Sequence, residues 1–354
     1  MTGVAAAAPD RHHLRNAFLA THGWTENQAA PLAGDASNRC YFRLIGADRI
    51  GAVLMDAPPD RGEDIGPFID ATTWLRRRGL SAPAILAADH GAGFLLLEDL
   101  GDDLFARVVA HTPAVEPELY GAAVDLLADL AAEEPPARDS FPPYDLATLL
   151  REAGLATEWW LQAATERSDP EIDVAHRSIA AAALAHLADC REAVVLRDYH
   201  AENLIWLPDR QGAARVGLLD YQDALIGHPA YDLVSLLEDA RRDTAPALQS
   251  AMLARYLDRR GLGGTESEAF RASYATLGAQ RNLKIIGIFA RLAIRDGKPR
   301  YLPMIPRVWG HLQRDLAHPA LADWARWVTH HLPAPEPSVL ARVAAQADGQ
   351  GQAP

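Results

Sequence analysis

Apolar and polar positions over the first hundred residues change places in short runs. RCYFRLIG (39–46) and RIGAVLMDA (49–57) are dense in aromatic and branched residues and predict two strands, with GADR as the turn of a hairpin. Helical spacing follows: Phe68, Ile69, Thr72 and Leu75 share one face of a helix predicted over 64–78, which Gly79 stops. SAPAILAAD then leads into GFLLLEDLG, whose consecutive apolar residues predict a strand buried on both faces. Beyond Gly101 the period stays near 3.6. In PELYGAAVDLLADLAAEE, the residues Leu119, Ala123, Leu126, Leu127 and Leu130 form one stripe, and further helices are predicted over 145–165, 171–190, 230–240, 245–260, 266–294 and 317–331. The tail from Pro333, rich in Pro, Ala, Gln and Gly, is expected to be loosely held. The expected organisation is α+β: a strand-rich unit over 1–100, a helical unit over 101–332 and a tail over 333–354.

One place breaks the helical pattern. LRDYHAENLIWL, from Leu196, sets five polar side chains between apolar runs that read as strands, and RVGLLD (215–220) reads as a third. A hairpin of the last two strands pairs Leu207 with Val216 and Asn203 with Asp220. Asn203 and Asp220 then stand together beside the loop carrying Asp198, and two carboxylates with an amide oxygen suit a hard cation such as Mg²⁺. The spacing D-x-x-x-x-N, with a further Asp 17 residues on, is the protein-kinase arrangement for phosphoryl transfer. In it Asp198 accepts the proton of the attacking hydroxyl, while Asn203 and Asp220 hold metal. The plainer reading is a solvated turn with Asp220 as a cap; the combined spacing favours the catalytic one.

Composition narrows the field. The chain has 354 residues and a net charge of -13, which argues against a general nucleic-acid binder. Cys40 and Cys190 are far apart and build neither a disulfide framework nor a Cys-rich zinc site. No apolar run reaches about 18 residues, and the first residues lack a signal-peptide core, so no membrane association and a cytoplasmic location are expected. GxxxxGK[ST], GxGxxG after a strand, HExxH and GxSxG are all absent.

LRDYHAENLIW followed by GLLDYQDALIGHPAYDL resembles the loop and metal motifs of the aminoglycoside phosphotransferase family, written HGDxHxxN…DW…GxPxxDL. The resemblance runs from about Asp35 to Pro319. It implies a bilobal protein-kinase-like fold, ATP and Mg²⁺ as cofactors, and a small-molecule hydroxyl as acceptor. It also implies that His200 is the family's loop histidine and that Asp232, after the GxP turn, braces the catalytic loop; both are expected to be structural. More narrowly, MDAPP, LLLEDLG, DYQDA and QRNLKIIGIFARLAIRDGKPRYL are similar to the group that phosphorylates the anomeric hydroxyl of N-acetylmuramate and N-acetylglucosamine in cell-wall recycling.

The sharpest departure is Met55, which stands where a kinase-like third strand ends in a phosphate-steadying lysine. Arg39 and Arg43, alternating with Tyr41 on one face of the preceding strand, are the candidate replacements, unless they are solvated strand arginines. In the loop GDASNRC, Gly34, Ser37 and Asn38 can offer backbone N–H groups to phosphate. Glu98 and Leu100 fall where a kinase hinge meets adenine. Asp223, Arg281 and Lys284 are candidates for the acceptor pocket, the two cations lying three apart on one helix face and favouring a neutral or anionic sugar over a polycationic aminoglycoside. Two other readings stay open: a kinase of this family with a different metabolite or an aminoglycoside as acceptor, and a non-catalytic nucleotide-binding protein, suggested by Met55.

Overall fold

A computed structural model describes residues 10–32, 38–46, 49–136, 141–190 and 192–350. Its strands are β1 (Ala29–Pro31), β2 (Cys40–Gly46), β3 (Arg49–Asp56), β4 (Ile85–Asp89), β5 (Phe94–Glu98), β6 (Ala193–Val195), β7 (Leu204–Trp206), β8 (Val216–Leu218) and β9 (Leu225–Gly227). Helices α1 (Arg11–Thr21), α2 (Gly66–Arg77), α3 (Phe105–His111), α4 (Glu116–Leu130), α5 (Leu146–Ala153), α6 (Gln162–Thr165) and α7 (Pro170–Leu184) precede β6 or lie between the early strands. After β9 come α8 (Ala230–Leu237), α9 (Pro246–Arg259), α10 (Gly264–Ile294), α11 (Ile305–Leu316), α12 (Ala322–His331) and α13 (Pro337–Gln350). The chain falls into two compact units, one running to Phe105 and including Asn203–Asp223, the other Ala106–Glu202 with Ala224 onward. The sequence pattern alone had assigned the 203–223 hairpin to the helical unit. Its apolar residues belong instead to the strand-rich one.

The first unit is built on an antiparallel sheet in the order β1-β2-β3-β5-β4. The run FLLLE, apolar on both faces, takes an interior position as β5, with Phe94–Leu97 buried. One face packs a core of Phe18, Leu19, Trp24, Leu44, Leu54, Phe94 and Leu96, which is why α1 forms: its Phe18 and Leu19 have a sheet to cover, and Asp10 caps it. At the β4–β5 turn Gly93 has φ +71, and a Cβ there would meet the Ala57 carbonyl oxygen at 2.0 Å. The hairpin β7–β8 is tied to this unit by aromatic packing. Tyr221 stacks on Phe68 of α2 at 5.2 Å and its hydroxyl lies 2.7 Å from Thr72 Oγ1.

The second unit is helical apart from the small antiparallel pair β6–β9, in which Val194 faces Ile226. Its spine is α10, 31 residues long. Leu283, Ile286 and Phe289 join Trp160, Ile305, Val308, Leu312, Trp324 and Val328 in one core. Gly287 lies against the backbone of Leu155, where a π-helical turn (Ala156–Leu161) begins; a Cβ would come within 2.3 Å. The segment expected to be loose forms α13. Val339, Leu340 and Val343 follow helical spacing and pack on this core, and Gln346 Nε2 donates to the Ala163 carbonyl at 2.9 Å. Among the described residues no helix is long and apolar enough to cross a membrane.

Candidate active site

The loop 196–202 belongs to the second unit and is held almost atom by atom. Asp232, in the first turn of α8 and 2% exposed, accepts the backbone N–H of Leu196 at 2.6 Å and of Arg197 at 2.8 Å. Burial pushes its carboxyl up to about 7, against the pull of those two N–H groups. Ser235, one turn further along α8, donates to the Arg197 carbonyl at 3.2 Å. Arg197 itself sits at φ 70, a left-handed backbone that a non-glycine residue adopts at about 1–3 kcal/mol. Beyond Asp198, the buried Tyr199 donates to the Ala123 carbonyl at 2.9 Å, and the Ala201 carbonyl accepts from Ala106 N at 3.0 Å. His200 is buried, and its Nε2 accepts from Arg241 at 3.1 Å. Burial, with the charges of Arg241 and Arg281, keeps its imidazole neutral, well below the ordinary histidine range. The loop carries two carboxylates, Glu202, which pairs with Arg241 at 3.0 Å, and Asp198, on a backbone fixed on both sides.

Asn203 and Asp220 lie in the first unit. Leu204 faces Leu218 and Trp206 faces Val216, one residue off the register expected from sequence, so Leu219 rather than Asp220 stands opposite Asn203, its N–H donating to the Asn203 carbonyl at 3.0 Å. The expected neighbours still meet. Asp220 takes φ 56, and its Oδ2 comes to 3.5 Å from Asn203 Nδ2. Gln222 Nε2 donates to the other oxygen at 2.7 Å. Among the described residues no group of three or more His, Cys, Asp or Glu side chains gathers for a metal. One carboxylate and one amide oxygen nevertheless fit Mg²⁺, which keeps waters and takes the rest of its shell from substrate phosphates.

The sheet of the same unit separates the two candidate arginines. Met55 is fully buried, facing Tyr41 across β2–β3. The whole sequence has two lysines, Lys284 and Lys298, so this unit contains none. Arg43 is anchored by Asp99 at 2.8 Å, Asp102 at 2.5 Å and the Gly101 carbonyl at 3.1 Å. Arg39, at the other end of the same face, bonds Glu63 through Nε at 2.7 Å. Glu63 also accepts from the backbone N–H of Asn38 at 3.2 Å. Gly34 and Ser37 lie outside the described residues. Glu98 turns its carboxylate onto Arg210 at 2.6 Å and Arg76 at 3.3 Å; Leu100 is buried and Asp223 is exposed.

Arg281 and Lys284, expected at the acceptor pocket, are engaged inside the helical unit. Arg281, 5% exposed, donates to Ser235 Oγ at 2.8 Å. Lys284 Nζ is 3.1 Å from Glu152 Oε1 and 3.2 Å from the Tyr231 hydroxyl. The same Glu152 oxygen accepts from Arg197 Nη2 at 2.7 Å, and its other oxygen accepts from Tyr144. Burial would raise the Glu152 carboxyl, but Lys284, Tyr144 and Arg197 together hold it below its ordinary value. Glu63, Glu152, Ser235 and Gln222 were not singled out from the sequence. Each is an ordinary helix or loop residue there, and only its partner distinguishes it.

Similar proteins extend this geometry. Residues 28–270 match the family described as APH, phosphotransferase enzyme family. A protein of Caulobacter vibrioides named N-acetylmuramate/N-acetylglucosamine kinase is 40% identical, over 92% of this chain and 97% of its own. One of the same name from Pseudomonas aeruginosa is 36% identical, over 88% of this chain and 91% of its own. Among solved structures, an amicoumacin kinase in complex with AMP-PNP and Ca²⁺ superposes with a TM-score of 0.60 at 15% identity, covering 88% of this chain and 95% of the other. The fold is accordingly the expected α+β protein-kinase-like one.

Proposed function

The chain belongs to the phosphotransferase enzyme family, and from that premise we propose that it transfers the γ-phosphoryl group of ATP to the anomeric hydroxyl of N-acetylmuramate and N-acetylglucosamine. The approach of Asn203 to Asp220, with Asp198 five residues earlier in the sequence, carries the phosphoryl-transfer reading. The acceptor reading rests on relatives of that name matching nearly end to end, so that residues contacting the sugar as well as the nucleotide fall inside the similarity. An ATP-dependent enzyme for sugars released by cell-wall turnover works in the cytoplasm.

Asp198 orients the attacking hydroxyl and accepts its proton. Asn203 and Asp220 would hold Mg²⁺ through their oxygens. When bound, the ion neutralises charge on the phosphates, and positioning with electrostatics supplies most of the rate. Arg39 is the better candidate for the missing third-strand lysine. In a kinase that lysine pairs with a helix glutamate, and Arg39 pairs with Glu63, just before α2, on the sheet face that carries Met55. Arg43 is spent on Asp99 and Asp102. Asp223, exposed, and Asn38 remain candidates for acceptor and phosphate contacts.

ADP release with Mg²⁺ and ATP tests the reading, with N-acetylmuramate, N-acetylglucosamine, its 1-O-methyl glycoside and kanamycin as acceptors. Turnover of the free sugars and silence with the methyl glycoside is expected. Turnover with the glycoside would remove the anomeric hydroxyl as acceptor, and turnover with kanamycin alone would remove the amino sugars.

A further inference from the structure

Arg197 precedes the proposed base, and two helices of the helical unit, α8 and α5, grip it at three points. Its N–H belongs to Asp232, its carbonyl to Ser235, and its guanidinium to Glu152 of α5. The last two grips are backed from α10. Arg281 donates to Ser235 and Lys284 shares the Glu152 oxygen that Arg197 uses. The guanidinium also lies 5.6 Å from the Tyr144 ring centroid, and Tyr144 closes the set by donating to Glu152. A left-handed, non-glycine residue held by its N–H, its carbonyl and its side chain has no freedom to turn the next peptide.

We propose that Glu152 and Ser235 are positioning residues that act through Arg197 to aim the Asp198 carboxylate, with Lys284 and Arg281 serving this brace instead of the sugar. The proposal rests on the role of Asp198 given above. Two features of the arrangement argue for it. The Glu152 carboxylate has both oxygens occupied inside the protein, by Arg197 and Lys284 on one and Tyr144 on the other, so Lys284 is ion-paired where it stands, sharing that charge with Arg197. Arg281 sits among buried groups, its guanidinium turned to Ser235 and the charges of Asp232 and Asp239 near it, which leaves its donors aimed away from solvent. A cation recruited for a soluble sugar would present its charge to water, as the buried Arg281 does not, and Lys284 is engaged by Glu152 and Tyr231.

The consequence is a particular kinetic signature. Glu152→Gln keeps the shape and removes the charge on which Arg197 and Lys284 meet. It should lower kcat about 10–100-fold, the range that small misplacements of a reacting group produce, with the KM values for ATP and sugar within about twofold of wild type. Ser235→Ala should lower kcat by a smaller factor, again without moving KM. Rates are taken per nucleotide-binding site, titrated with a fluorescent ADP analogue, so that a partly unfolded sample does not imitate the effect. In an Asp198→Asn background Glu152→Gln should cost nothing further, because the group it aims is gone. A wild-type kcat in Glu152→Gln, or a full additional loss in the double variant, would overturn the proposal. So would Lys284→Ala or Arg281→Ala raising the sugar KM with kcat intact, which would return both cations to the acceptor pocket. The slow hydrolysis of ATP by water is followed in the same samples. If neither sugar is turned over, the acceptor assignment falls, and the hydrolysis rate still reads whether Glu152 acts through Asp198.

Discussion

The loop 196–202 and the hairpin 203–223 meet at a single peptide bond, yet the chain holds them by different means. In the loop the backbone is the object of attention: N–H groups go to Asp232, carbonyls to Ser235 and Ala106, and the side chains of Arg197, Tyr199 and His200 turn inward. In the hairpin the backbone is an ordinary two-stranded ladder, and the chemistry is left to side-chain oxygens, with amides of Asn203 and Gln222 resting on Asp220. On the roles proposed above, a group that moves a proton works in one orientation only, which a locked peptide serves, while groups that bind a cation exchange protein partners for the ion. The two regions also answer to different parts of the molecule, the loop to α5, α8 and α10, the hairpin to α2 through Phe68 and Thr72.

The widest test of this contrast compares one substitution from each side. Asp198→Asn should lower kcat about 10²–10⁴-fold, leave ATP affinity within about twofold and gain nothing from added metal. Asp220→Asn should lower kcat about 10²–10³-fold, with the loss partly reversed as Mg²⁺ is raised; a titration of kcat against Mg²⁺ separates the two. If Asp220→Asn ignores the metal concentration, the hairpin is not a cation site. Next, Arg39→Ala should raise the KM for ATP about tenfold, the size of one charge-assisted hydrogen bond. Arg43→Ala should leave that KM alone and lower Tm by about 2–4 °C, since its partners are protein carboxylates. A reversal between the two arginines would exchange their roles.

The smallest effect expected lies inside the helical unit, between the end of α8 and α11. Glu238 and Asp315 are buried side by side, each accepting from Asn282 Nδ2, at 2.8 and 2.9 Å. Burial raises both carboxyls above their ordinary values; Glu238 raises Asp315 further, while hydrogen bonds from Asn282 and Asp315 pull Glu238 partly back. An acid whose folded value is raised binds its proton longer in the native state than in the unfolded one. Stability is therefore lost as pH rises above the unfolded value of about 4 toward the raised one. Asp315→Asn, which keeps an oxygen for Asn282, should raise Tm by a few degrees, by a margin that grows from pH 5 to pH 8. A constant or shrinking margin would show that the pair is ionised throughout.

Much of the fold could be read from periodicity alone: β2, β3, β5, α2, α4 and the long α10 all stand where apolar spacing put them. What escaped has physical reasons. The helix α1 carries few apolar residues and exists because a sheet face needs covering; α13 looked like a tail because Ala, Gln and Gly outnumber the Val339, Leu340 and Val343 that anchor it. The hairpin register slipped by one because the turn between its strands contains a short 3₁₀ segment (Gly212–Arg215) that no residue count reveals. At the candidate site, Asp198, Asn203 and Asp220 were picked out by spacing, and the structure brings Asn203 and Asp220 together. For Arg281 and Lys284, helical spacing shows which cations share a face and nothing of what the face meets. Their partners, Glu152 and Ser235, are 132 and 46 residues away in the chain for Lys284 and Arg281 respectively.

The absence of lysine from the strand-rich unit reaches past catalysis to how such a protein is detected. Nucleotide reagents that mark kinases by acylating an amine near the phosphates find none on β3, where Met55 is sealed in the core, nor anywhere else in residues 1–105 and 203–223. A reagent that needs a lysine of this unit would pass over the protein. On the role proposed for Arg39, a dicarbonyl reagent directed at guanidinium groups, with protection by ATP as the readout, is the chemistry that would bring it into view.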